Sequence, residues 1–295
     1  MSSQSRHQNK KKEAAASDKS LIIKAYLLTY NILSAAGWSF ILYHTLAHIF
    51  SFPVSSPSLF ANINARVVGV IGGGGLGGLG GLLQPPFVWV PSFVPAHLTP
   101  FYRRACTTYD AVGGTTALVQ TAATLEVLHV LFGLVRSSLS TTTIQVASRL
   151  FSVWAIAAGF SSAQRSPFYA TMVLSWALTE VIRYTFYATS LLGWEPAPLL
   201  WARYSTFYLL YPTGAGSEAL VNLATLPISF ASGSSSSSNT WFWILPFAQW
   251  NTYTLFRGAL FVIWWPGLYP MYTHMIKQRR KVFGGQRLGA KPKTH

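Results

Sequence analysis

Tyr211 stands seven positions before Glu218 in the stretch WARYSTFYLLYPTGAGSE, inside an otherwise apolar part of the chain. On a straight helix that spacing places both on one face, two turns or about 10 Å apart along the axis. Pro212 and Gly214 lie between them and are expected to bend the helix. Gly214 and Gly216 remove side chains, which would let a substrate approach the backbone. Glu218 has no basic residue within a turn. It must find a partner on another helix, hold a proton, or face a water-filled cavity, and each setting suits general acid/base work. A lone membrane tyrosine is ordinarily an interfacial anchor, and the chain has 14 tyrosines. Only the combination with Glu218 and the expected bend sets Tyr211 apart.

Other residues in the apolar segments are also costly there, since a charge at mid-bilayer costs about 2.5–3.5 kcal/mol on insertion scales. Glu126 and Glu180 join Glu218 among the seven acidic residues, and Arg149, Arg183 and Arg203 are basic. Glu126 and His129 share a helical face in LEVLH, and Gln145 and Arg149 share another. Glu180 and Arg183 can pair locally, with Trp176, Glu180 and Tyr184 in one stripe. Arg203 and Tyr211, eight apart, line one face. An internal ion-pair network is the simpler account of Glu180 with Arg183, and it competes with a functional account of Glu126, His129 and Arg149. No His-x-x-His or similar spacing points to a metal. Cys106 is alone, so it forms no intramolecular disulfide, and Val112 stands where a cysteine phosphatase loop needs arginine.

The elements that must position these residues are set by composition. The chain is 51% hydrophobic and 10% charged, against about 25% charged in soluble domains. Apolar runs of near-spanning length fall at 21–46, 112–135, 143–160, 168–192, 199–226 and 251–272. The expectation is an all-α integral membrane protein of six transmembrane helices. Basic residues cluster before the first run and after the last, so both termini are expected to be cytosolic, which agrees with an even number of spans. Residues 1–19 read as a disordered basic tail and 20–276 as the membrane domain, with 277–295 a second basic tail. The first apolar run reads as a retained signal anchor. The insertion 51–109 carries IGGGGLGGLGGLL at 71–83, which lacks the Gly-Lys-Ser/Thr ending of a phosphate loop and reads as linker. The stretch 241–250 is a candidate interfacial helix. Anionic lipid suffices as partner for the basic tails, and nucleic acid is not expected.

LEVLH, QVASRLFSVW, SWALTEVIRYTFY and the YPxGxxxE element at 211–218 together resemble the eukaryotic very-long-chain (3R)-3-hydroxyacyl-CoA dehydratases of the endoplasmic reticulum, also known as protein tyrosine phosphatase-like proteins. The resemblance is strong over 112–226 and looser at the first and last spans. It implies removal of water from a (3R)-3-hydroxyacyl-CoA to give the trans-2-enoyl-CoA, the third step of fatty acid elongation. It implies that Tyr211 and Glu218 are the catalytic pair, with Glu126, Gln145, Arg149, Arg183, Arg203 and Gly214 supporting. It also implies no cofactor, and as partners the other elongation enzymes: the elongase, the ketoacyl-CoA reductase and the enoyl-CoA reductase. Elimination needs a base for the C2 proton and an acid for the C3 hydroxyl, and the residue types leave open which group does which. A carboxylate base with tyrosine as acid or hydroxyl binder is the simpler assignment.

The chain departs from the family pattern in its long 51–109 stretch and in 231–250. Its last five residues, KPKTH, place Lys291 and Lys293 as in a KxKxx retrieval signal for the endoplasmic reticulum. Two other classes remain open: a catalytically silent scaffold of the same fold that binds elongation enzymes, and a small transporter. The absence of an internal repeat weighs against the transporter.

Overall fold

The computed structural model describes residues 3–51, 90–227 and 250–284, with side chains from Ser20 onward. The glycine tract, most of 231–250 and the KPKTH terminus lie outside the described residues. The regular structure within them is helical.

Helix α1 runs Ser3–Phe50. Composition predicts a disordered tail over 1–19, whereas the backbone is helical from Ser3. The KKKEAAA segment consists of strong helix formers, and extending an existing helix needs no new nucleus. Its apolar part, Ser20–Phe50, is the one helix among the described residues long and apolar enough to cross a membrane.

The next expected span, 112–135, is two helices after a short α2 (Thr99–Ala105): α3 (Thr108–Ala122) and α4 (Thr124–Leu131). Thr121 Oγ1 donates to the Ala117 carbonyl at 2.7 Å and Thr124 Oγ1 to the Thr121 carbonyl at 2.8 Å. Such back-bonding bends helices, and it brackets the break at Ala123. Gly133, at φ 68°, turns the chain after α4. Ser138, in extended conformation, precedes α5 (Leu139–Leu150), which passes directly into a π-helical segment, Phe151–Ala157.

A short α6 (Ser161–Gln164) leads to α7 (Pro167–Leu191). Extended Ser166 and Pro167 at the first turn start α7. Gly193, at φ 80°, stops it. The expected fifth span is α8 (Ala197–Ser205) and α9 (Phe207–Leu223). The expected bend at Pro212 and Gly214 is not where the helix is interrupted; the break falls at Thr206, while Pro212 lies within α9. Thr206 Oγ1 donates to the Ala202 carbonyl at 2.8 Å, a back-bond that bends helices, whereas the N–H missing at Pro212 frees only the Tyr208 carbonyl, inside α9. Helix α10 (Thr252–Gly284) continues three turns past the expected end at Tyr272.

Helix α7 is central, with α1 against one side and α9 against another; α3 packs on α1, and α10 on α9. The buried cluster takes Trp38 and Ile41 from α1, Tyr109 and Val112 from α3, Tyr169, Met172 and Trp176 from α7, and Val221 from α9. Outward residues remain strongly apolar: Leu33, Ile144, Leu209, Val262 and Ile263 are 61–69% exposed. An outer surface of that kind marks an apolar environment or a partner.

Candidate active site

Helix α9 carries both members of the candidate pair. Glu218 is partnered from another helix: Trp176 Nε1 on α7 donates to Glu218 Oε1 at 2.6 Å. The carboxyl also lines a small cavity with Phe151, Ser152, Ile156, Asn222 and Trp264. That cavity has room for about one water molecule. Of the settings expected for Glu218, the partner on another helix is present, and the residue also borders a small cavity. Three cavity residues come from the π-helical segment, whose widened turn re-aims side chains; such segments occur frequently at functional sites.

Tyr211 makes no hydrogen bond to Glu218; its ring stacks on Tyr272 of α10, with centroids 6.3 Å apart. The two-turn gap between phenol and carboxyl suits a small reacting group placed between them.

Four charged residues form one chain of contacts on the other side of Trp176. Arg183 straddles Glu126, with Nη1 to Oε2 at 2.9 Å and Nη2 to Oε1 at 2.7 Å. Its Nε reaches Glu180 Oε2 at 2.6 Å. Glu180, only 3% exposed, also takes a bond from Arg149 Nη1. The Arg149 guanidinium lies 5.1 Å from the Trp176 ring centroid. The network thus ends against the indole that holds Glu218. Tyr184 donates to Glu126, and so does Tyr30 of α1 at 3.5 Å. The expected Glu180–Arg183 pair is present. The LEVLH face is divided: Glu126 goes to Arg183, while His129 Nε2 meets Tyr26 of α1 at 2.8 Å.

The remaining sequence candidates lie elsewhere. Gln145 is exposed, one turn before Arg149. Arg203 is not at the pair: it donates to the Tyr187 hydroxyl at 3.0 Å and stacks on Phe186 and Tyr187. The helix break at Thr206 disrupts the face it was expected to share with Tyr211. Gly214 faces α7 rather than an open approach to the backbone; a Cβ there would stand 3.4 Å from Ser175 Cβ. Gly216 has open space around it.

Sequence reasoning placed Trp176 in a stripe with Glu180 without a role, and passed over Asn222, Ser152, Tyr30 and Tyr272. No spacing on α9 identifies a donor on α7. Among the described residues, no group of three His, Cys, Asp or Glu side chains gathers as a metal site would need.

A model of the protein tyrosine phosphatase-like family (PTPLA) matches residues 120–285. A fission yeast (Schizosaccharomyces pombe) protein, called a probable very-long-chain (3R)-3-hydroxyacyl-CoA dehydratase, is 47% identical over 56% of this chain and 71% of its own. The rice (Oryza sativa subsp. japonica) dehydratase PASTICCINO 2A is 40% identical over 59% of this chain and 77% of its own. The Caenorhabditis elegans dehydratase hpo-8 is 32% identical over 89% of this chain and 96% of its own. No solved structure matches the chain.

Proposed function

The chain belongs to the protein tyrosine phosphatase-like family, and from that premise we propose that it is a hydro-lyase that dehydrates very-long-chain (3R)-3-hydroxyacyl-CoA to the trans-2-enoyl-CoA in fatty acid elongation. The observation that carries the site assignment is Glu218, held by Trp176 and open to a cavity, two turns from Tyr211 on one helix. Glu218 serves as the base that removes the C2 proton. Tyr211 presents an O–H donor to a substrate oxygen. Charge that develops on the thioester oxygen as C2 becomes carbanion-like is met by the Tyr211 O–H, the role of an oxyanion-hole donor.

The packing of α9 and α10 gives the site a direction. Asn222 of α9 meets Arg257 at one end, Tyr211 meets Tyr272 midway, and Tyr204 and Ser205 of the preceding α8 meet Phe283 and Arg279 at the other. Arg203 and Arg279 form no salt bridge among the described residues and lie at that last end, on the basic side of α10. In this reading they meet the CoA phosphates. Their side chains lead to the thioester at Tyr211, then to C2 and C3 at Glu218.

Residues 20–276 form the membrane-embedded dehydratase domain, crossing six times with both termini cytosolic. The outward apolar residues of α5, α9 and α10 and the basic tails support this topology. The KPKTH terminus suits retention in the endoplasmic reticulum, where the elongase and the two reductases of the cycle are the natural partners. Purified protein in detergent should convert a 3-hydroxyacyl-CoA to the enoyl-CoA. Tyr211→Phe and Glu218→Ala should accumulate normally and lose that activity. Full activity in both variants would reject the site; an inactive wild type that still binds elongation enzymes would leave the scaffold reading.

A further inference from the structure

The cavity beside Glu218 has a second polar wall. Asn222 lies four positions further along α9, one turn on and on the same face. It is 6% exposed. Its Nδ2 donates to the Arg257 carbonyl of α10 at 2.9 Å, which fixes the amide, and its Oδ1 is buried with no hydrogen-bond partner. A buried acceptor left unpaired is costly, so a native one calls for a ligand or a water. Ser152, across the cavity, donates its hydroxyl hydrogen to the Ser148 carbonyl at 3.1 Å, which leaves Oγ free to accept. The other walls, Phe151, Ile156, Ala219 and Trp264, are apolar. Two acceptors and a carboxyl therefore surround space for about one water, which is a molecule with two O–H donors.

Resting on the dehydratase reading above, we propose that this cavity receives the water eliminated from the substrate, with Asn222 Oδ1 positioning the departing oxygen. The C2–H bond breaks and its proton passes to the Glu218 carboxylate. Its electron pair becomes the C2=C3 π bond as the C3–O bond breaks. The departing hydroxyl takes the proton from the Glu218 carboxyl, so water leaves and the carboxylate is restored. Asn222 Oδ1 and Ser152 Oγ accept the two O–H bonds of that water. The order along α9 fits: Tyr211 at the thioester, Glu218 at C2 and C3, and Asn222 beyond, where the oxygen goes.

The test runs the reaction backwards, adding solvent to trans-2-enoyl-CoA in buffer containing methanol, with full-length protein in detergent. Wild type must hydrate the substrate and Glu218→Ala must not; failure there overturns the dehydratase reading and this proposal with it. Asn222→Ala should lower kcat roughly 10–100-fold with KM nearly unchanged. By enlarging the cavity, it should also raise the ratio of 3-methoxyacyl-CoA to 3-hydroxyacyl-CoA about tenfold or more, read by mass spectrometry. Methanol admitted together with a loss of kcat marks Asn222 as a wall of the space that the departing oxygen enters. Ala219→Val, which narrows the same cavity with Asn222 intact, should lower kcat and give no methoxy product. Wild-type kcat with an unchanged product ratio in Asn222→Ala overturns the proposal, as does a change confined to KM. Should Asn222→Ala not fold, wild-type kcat in folded Ala219→Val overturns it equally.

Discussion

Trp176 and Glu218 join the two central helices at the site: the indole N–H of α7 reaches the carboxyl of α9 at 2.6 Å. The same indole ring lies under the Arg149 guanidinium. One side chain thus links the buried ion-pair chain to the proposed base.

Trp176→Phe separates these two functions. It keeps an aromatic ring near Arg149 but removes the donor to Glu218. A hydrogen bond to a charged group is worth about 1.5–3 kcal/mol, or roughly 10–100-fold in rate if it is needed in the transition state. The expected outcome is a fall of that size in kcat for the folded protein, with a lower melting temperature as well, because Trp176 is part of the buried cluster. Unchanged kcat would show that the indole only packs.

Breaking the Arg149–Glu180–Arg183–Glu126 chain at its buried member should be costly. Removing one partner from a buried pair costs about 3–5 kcal/mol, because the remaining charge is left uncompensated. Glu180→Gln should therefore lower the melting temperature in detergent sharply. Adding Arg149→Met to it should cost less than the sum of the single changes, since contacting residues couple by about 0.5–3 kcal/mol. Strict additivity would show that the two do not interact.

Gly214 offers a graded steric test. A Cβ at this position meets Ser175 Cβ at 3.4 Å, an ordinary contact. Gly214→Ala should fold and keep activity within a few-fold. Gly214→Val should push α9 from α7, lengthen the Trp176–Glu218 bond and lose activity, as measured by turnover of the folded fraction. Equal activity in both would show that the α7–α9 spacing does not matter.

Cys106, 2% exposed at the end of α2, gives a pH-dependent readout outside the apolar spans. Burial pushes its thiol from 9.0 up to about 11. The folded state then holds a proton that the unfolded state releases between pH 9 and 11. The contribution to stability is complete below about pH 9 and is lost as pH rises toward 11. Maleimide labelling of native protein at pH 7 should be slow, because only on the order of one thiol in 10⁴ is ionised. Fast labelling of native protein would place the thiol at the surface.

Local chemistry is what the sequence alone could determine. Composition marked an apolar helical chain. The spacing of Tyr211 and Glu218 put them on one helix face, and Glu180 with Arg183 paired because three positions on a helix are neighbours. The resemblance of four short motifs supplied the reaction class.

Tertiary structure decided everything that depends on which helices are neighbours. The Trp176–Glu218 bond spans 42 positions and the Arg183–Glu126 pair 57, and no local periodicity encodes such distances. The π-helical turn that lines the cavity likewise packs against α9, and no spacing in the sequence announces that neighbour. A charge on an apolar helix announces that it needs a partner; only the packed bundle determines which side chain meets it.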